Sequence, residues 1–130
     1  MKIARIDHFV MTVSDIDATC DFYTRVLGME VLNFGEGRTA LRFGQHKINL
    51  HPVDNKPGLI AAHPSVGGAD FCMITETPID AVVKHLAVEG VEIIMGPDTR
   101  SGALGPITSV YFRDPDDNLV EVSNYPGETA

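Results

Sequence analysis

Five side chains able to bind a metal or move a proton recur at matched places in this 130-residue chain. His8 and Asp70 each open a stretch of alternating apolar and polar residues, 62 positions apart (70 − 8 = 62). Asn49 and His51 lie in "INLH" and Glu121 in "VEVS", two later stretches that superpose by pattern, Asn49 on Glu121 and His51 on Ser123. Successive side chains of a strand point to opposite faces. The apolar neighbours Phe9, Ile48, Leu50, Phe71, Val120 and Val122 therefore take one face, and His8, Asn49, His51, Asp70 and Glu121 the other. Two imidazoles with carboxylates suit a divalent transition ion and leave positions open for a substrate. Carboxylates brought together on one concave surface repel, and a cation answers that repulsion. Glu121 and Asp70 are also the carboxylates available for proton transfer.

The elements that must position these residues are written twice. Period-2 alternation in "IARIDHFVMTV" predicts a first strand. "SDIDATCDFYTRVLG" then turns to helical period, with Ile16, Cys20, Tyr23, Val26 and Leu27 on one side, Ser14 as the expected N-cap and Gly28 as the stop. Strands follow in "MEVLNF", "TALRFG" and "KINLHPV". The second half repeats the order: strand "ADFCMIT", helix "TPIDAVVKHLAVEG" with Thr77 as N-cap and Pro78 at its first position, then strands "VEIIMG", "ITSVYF" and "NLVEVSN". Phe9 and Phe71, Met11 and Met73, Gly28 and Gly90 share the 62-residue offset. The expected fold is α+β: two tandem βαβββ modules forming a cup-shaped, partly open mixed β-barrel with flanking helices. One domain spans 1–130, with module 1 at about 3–53, a Gly/Pro/Ala-rich linker at about 54–69 and module 2 at about 70–125.

Composition narrows the partners. Hydrophobic residues make up 44% of the chain, enough for a core, and the net charge is −8. That balance argues against nucleic acid and anionic membrane surfaces, which call for a basic patch. No apolar run reaches the length of a membrane span, and the N-terminus enters a strand pattern with no signal-peptide core. Two cysteines, Cys20 and Cys72, make no disulfide framework and lack metal spacing. A cytoplasmic protein is expected.

Other polar residues read more plainly. Cys72 shares the face of Asp70 and is expected as a small buried filler. Arg42 and Tyr111 are matched to each other in the third strands of the two modules, where they hold a substrate or fill the cup. His63 reads as a loop residue, and His46 and His85 as solvated. Asp114, Asp116 and Asp117 read as a tight turn between strands and not as a calcium loop.

Two stretches, "IDHFVMTVSDIDATCDFYTRVLGMEV" and "YFRDPDDNLVEV", resemble the vicinal oxygen chelate superfamily. That group includes glyoxalase I, extradiol dioxygenases, fosfomycin-resistance proteins and bleomycin-binding proteins. "ALRFGQHKINLH", "AAHP" and "GPITSVYFRDPD" bring the chain nearest to glyoxalase-domain-containing protein 5 and its bacterial relatives. The resemblance places metal positions on His8, Asn49, Asp70 and Glu121. Asp70 stands where many members have His, and Asn49 where glyoxalases have Glu. His51 is the alternative fourth ligand, with Asn49, Arg42 and Tyr111 toward the substrate and Asp70 and Glu121 as catalytic carboxylates. The resemblance implies a divalent ion (Ni, Zn, Fe or Mn), a small-molecule substrate and a homodimer. It also implies a glyoxalase-like lyase or isomerase stabilising an enediolate-type intermediate. The alternatives are a single-domain extradiol dioxygenase and a non-catalytic drug- or metabolite-binding resistance protein.

Overall fold

A computed structural model describes all residues, Met1–Ala130, as two compact units, Met1–Gly68 and Ala69–Ala130. The division falls at the end of the Gly/Pro/Ala-rich stretch, and each unit has its own sheet and helix.

The first unit runs β1 (His8–Val13), α1 (Ile16–Leu27), β2 (Glu30–Phe34), β3 (Arg38–Phe43) and β4 (His46–Pro52). Its open mixed sheet has the order β1-β4-β3-β2, with β1 parallel to β4 and the other pairs antiparallel. A parallel neighbour needs a long crossover, and α1 with the β2–β3 hairpin supplies it. Met11, Val13, Leu41, Ile48 and Leu50 are buried with Phe22, Tyr23 and Val26 of α1. Each such side chain contributes about 1.5–3 kcal/mol by leaving water. The helix begins one residue later than Ser14 suggests. Asp15 is the N-cap, its Oδ1 accepting from the Ala18 N–H at 3.0 Å, because its carboxylate reaches the first turn. Gly28 ends α1 at φ 67°, where its N–H reaches Thr24 O at 3.0 Å.

The second unit repeats the order: β5 (Asp70–Ile74), α2 (Ile79–Val88), β6 (Met95–Gly102), β7 (Gly105–Arg113) and β8 (Leu119–Asn124). Its sheet is β5-β8-β7-β6, again with the first strand parallel to the last. Val82 and Leu86 of α2 are buried, as are Val110, Phe112, Val120 and Val122 of the sheet. Two expectations need correcting. Thr77 does not cap α2; Pro78 holds that position with no side-chain cap bond, and the helix starts at Ile79. The third strand is not "VEIIMG". Pairing runs from Met95 to Gly102 and shifts register between Met95 and Asp98. Gly96 sits in that shift at φ 99°, where a Cβ would strike the Ser109 carbonyl, so the backbones approach as only glycine allows.

The acidic turn between β7 and β8 is a structural device. Asp114 and Asn118 are both buried. Asp114 Oδ1 accepts from the N–H of Asp116 and of Asn118, each at 2.9 Å, and Oδ2 accepts from Asn118 Nδ2 at 2.8 Å. Asn118 Oδ1 in turn accepts from the Ala69 N–H at 2.9 Å, tying the turn to the start of β5. Asp114→Ala leaves those donors unpaired, and the expected loss is about 2–4 kcal/mol, read as a lower urea midpoint with unchanged slope. No helix is long and apolar enough to cross a membrane.

Candidate functional site

Strand register decides which polar side chains share a place. On β1 and β4, His8 lies beside Lys47, Val10 beside Asn49 and Thr12 beside His51. His8 and Asn49 are thus diagonal neighbours on one face, within converging reach. His51 is level with Thr12, four residues along from His8, or roughly 13 Å at about 3.3 Å per residue. The first unit therefore brings His8 to Asn49 and keeps His51 apart.

His8 is exposed, and its Nδ1 donates to Asp7 Oδ2 at 2.8 Å. The imidazole holds the Asp7 carboxyl below its ordinary pKa, chiefly through this hydrogen bond. Nε2 is left for an outside partner, and a carboxylate on the second ring nitrogen is how metal-bound imidazoles are commonly oriented. Asn49 is 4% exposed with Oδ1 unpartnered, and His51 is 8% exposed with Nε2 unpartnered. Buried polar atoms without partners are costly and uncommon. Burial, and then the Arg38 charge, lowers the His51 pKa, which favours the neutral imidazole.

The second unit repeats the diagonal. Asp70 lies beside Leu119, and Glu121 lies between Cys72 of β5 and Tyr111 of β7. Asp70 to Glu121 is the counterpart of His8 to Asn49. Glu121 Oε2 accepts from Ser109 Oγ at 2.6 Å, and Ser109 and Ser123, both fully buried, are 2.6 Å apart through their hydroxyls. Cys72 Sγ is 3.3 Å from Ser123 Oγ. A carboxylate only accepts, so Ser109 donates to Glu121 and Ser123 to Ser109. Burial, followed by the hydrogen bond and charge of Glu121, raises the Tyr111 phenol and keeps it protonated. The Arg100 guanidinium lies 5.5 Å from the Tyr111 ring centre, while its Nε is buried without a partner.

Several expectations change here. Arg42 does not match Tyr111. It pairs with Lys47, two places from Ala40 beside Asn49, so the counterpart of Tyr111 is Ala40 and that of Arg42 is Arg113. Arg42 is also tied up, its Nη2 2.6 Å from Glu30 Oε2. Cys72 is exposed and not a buried filler, because it lies on β5, at the sheet's edge. His46 is half-buried, and its Nδ1 donates to Ile6 O at 2.8 Å. His63 and His85 are exposed. Asp7, Ser109 and Arg38 were not singled out by sequence. Ser109 carried a signal, since it shares the alternation of Tyr111 in "ITSVYF".

An imidazole, two carboxylates and a carboxamide oxygen form a donor set fitting a divalent first-row ion. They stand as two pairs, one per unit; no three His, Cys, Asp or Glu side chains are gathered as a group. The orphaned Asn49 Oδ1 and the Asp7-oriented His8 ring are the observations that suit such an ion.

Residues 5–122 match the Glyoxalase/Bleomycin resistance protein/Dioxygenase superfamily. The chain belongs to this superfamily. Among superfamily relatives, it is 50% identical to Virulence protein STM3117 of Salmonella typhimurium over 96% of this chain and 87% of that one. It is 46% identical to Glyoxalase domain-containing protein RDO1 of Mycosarcoma maydis, over 96% of this chain and 70% of that one. An integron cassette protein from the mobile metagenome of V. cholerae has the same fold at TM-score 0.95 and 53% identity, over 96% and 98% of the two chains. A lactoylglutathione lyase from Agrobacterium tumefaciens shares the superfamily fold at TM-score 0.73, with 23% identity over 98% and 97% of the chains.

Proposed function

We propose that this chain is a metal-dependent lyase or isomerase of glyoxalase-like type, acting on a small substrate that carries vicinal oxygens. The observation that carries the reading is the repeated diagonal: His8 with Asn49 and Asp70 with Glu121 occupy the same register position in the two units. His8, Asp70 and Glu121 would hold the ion, with Asn49 at the fourth position. When bound, the ion supplies Lewis acidity toward the substrate's oxygens. Asp7 fixes the His8 ring, and the Ser109 hydroxyl fixes Glu121 through Oε2. The Tyr111 phenol stays protonated beside that carboxylate and is a donor for a developing negative charge. Asp70, exposed at the sheet edge, is the carboxylate freer to carry a proton.

Each unit offers one diagonal pair, so four donors need one first unit and one second unit. We place these on two chains of a homodimer with two equivalent sites, two-fold pairing being the commonest closed association.

The dioxygenase alternative calls for two histidines and a carboxylate on one iron. His8 and His51 stand four residues apart along the sheet, which counts against it. The test is turnover by metal-loaded protein. Nickel or zinc protein is expected to convert the methylglyoxal–glutathione hemithioacetal or a related vicinal-oxygen substrate. Oxygen uptake with a catechol and iron(II) would move the assignment to the dioxygenases. Retention of a ligand without turnover, even after chelation, would move it to the binding proteins.

A further inference from the structure

The polar face of the first unit carries a group of cations that the proposed metal chemistry does not use. Arg38 of β3 and Lys47 of β4 both lie over the ring of Phe34, their charged atoms 4.8 Å and 4.0 Å from its centre. Neither forms an ion pair with a carboxylate, although the chain has 18 acidic residues and a net charge of −8. The acidic residue of β2 on this face, Glu30, is engaged by Arg42. Two like charges sharing one aromatic ring repel each other, and the ring offsets only part of that cost. In the antiparallel register of β3 and β4, Thr39 meets Leu50, which sets Arg38 level with His51. His51 is buried with its Nε2 unpartnered. A forked donor and an ammonium thus share one aromatic ring, and an unsatisfied ring nitrogen lies level with the forked donor, on the face that carries His8 and Asn49.

We propose that Arg38, Lys47 and His51, above Phe34, form a binding site for an oxyanion, the carboxylate or phosphoryl group of the substrate. The guanidinium fork meets two oxygens of such a group in its plane. Lys47 supplies a point charge, and His51 supplies a single hydrogen bond that also satisfies its buried nitrogen. The anion's place in a substrate rests on the reading of the previous section; the anion site itself does not.

The experiment uses the full-length, metal-free protein and two probes, glycolate for a carboxylate and inorganic phosphate for a phosphoryl group. The His51 ring nitrogens are followed by NMR through each titration. Saturable shifts of the His51 signals are expected for at least one probe. Arg38→Met and Lys47→Met should each weaken that binding by at least tenfold. Lys84→Met on α2 removes the same charge from an exposed position elsewhere and should leave it unchanged. The relative strength of the two probes assigns the group to carboxylate or phosphoryl. Absence of saturable shifts overturns the proposal, as does equal weakening by Lys84→Met, which would reduce the effect to net charge. Because no metal is present, failure here leaves the metal reading standing, and loss of the metal reading leaves this one standing.

Discussion

His8→Ala and Glu121→Ala are each expected to lower the affinity for a divalent ion by more than about 100-fold, because removing an orienting partner alone costs about 10 to 100-fold. Asp7→Asn and Ser109→Ala are the graded comparison. They keep both donors and release the groups that hold them, so they fall within that smaller range. His51→Ala is expected to leave the affinity nearly unchanged, since its register separates it from His8 by four residues. Protein purified without chelator, its metal content measured and its affinity read by competition with a chelating dye, gives the ranking. Circular dichroism melts keep lost binding distinct from lost fold. Full occupancy in both the His8 and Glu121 variants would place the metal elsewhere. A loss in His51→Ala equal to that in His8→Ala would restore the second histidine as a ligand.

The second large effect is a rescue. His8→Ala and Glu121→Ala proteins, each weakened for metal, are expected to regain it when mixed under conditions that exchange subunits. In a mixed dimer with shared sites, one site carries both lesions and the other carries neither. With random exchange at equal concentrations, half of the dimers are mixed, so about a quarter of all sites recover. Native mass spectrometry of the mixture counts mixed dimers and bound ions together. Proven exchange with no recovered metal would mean that His8 and Glu121 serve one site within a single chain.

Much of this was legible from residues alone, and the gaps have physical causes. The duplication was plain because stop residues recur with the apolar pattern: Gly28 ends α1 at positive φ and Gly90 follows α2 in the same way. Face assignment was plain for the same reason; alternation sends Ile48, Leu50, Val120 and Val122 to the buried side without any knowledge of neighbours. Register is different, because it depends on which strand lies alongside. Alternation shows that His51 shares a face with His8, but only the pairing of Thr12 with His51 shows how far along it lies. The same blindness matched Arg42 to Tyr111, two places off on the correct face. Ser14 and Asp15 are both competent caps, and the choice turned on which oxygen reached the Ala18 N–H. The misplaced third strand of the second unit had another origin. "VEIIMG" is rich in β-branched residues, whereas "GPDTRSG" reads as a turn, yet a bulge at Gly96 and Pro97 lets the latter pair.

The carboxamide of Asn49 stands where its counterpart in the second unit is the carboxylate of Glu121, and that asymmetry would set the charge of the proposed centre. Two carboxylates, one neutral imidazole and one neutral amide carry two negative charges, equal and opposite to those of a divalent ion. A third carboxylate at position 49 would leave the filled centre anionic and would push away any negatively charged molecule arriving over the same face. With Asn49 the four proposed donors would balance a divalent ion. The field on that side would then be shaped by Arg38 and Lys47, which lie over the Phe34 ring, and by the Asp7 carboxylate that Lys47 also faces. The two departures from the family pattern, Asp70 for His and Asn49 for Glu, would thus offset each other in charge and leave the proposed centre open to an anion.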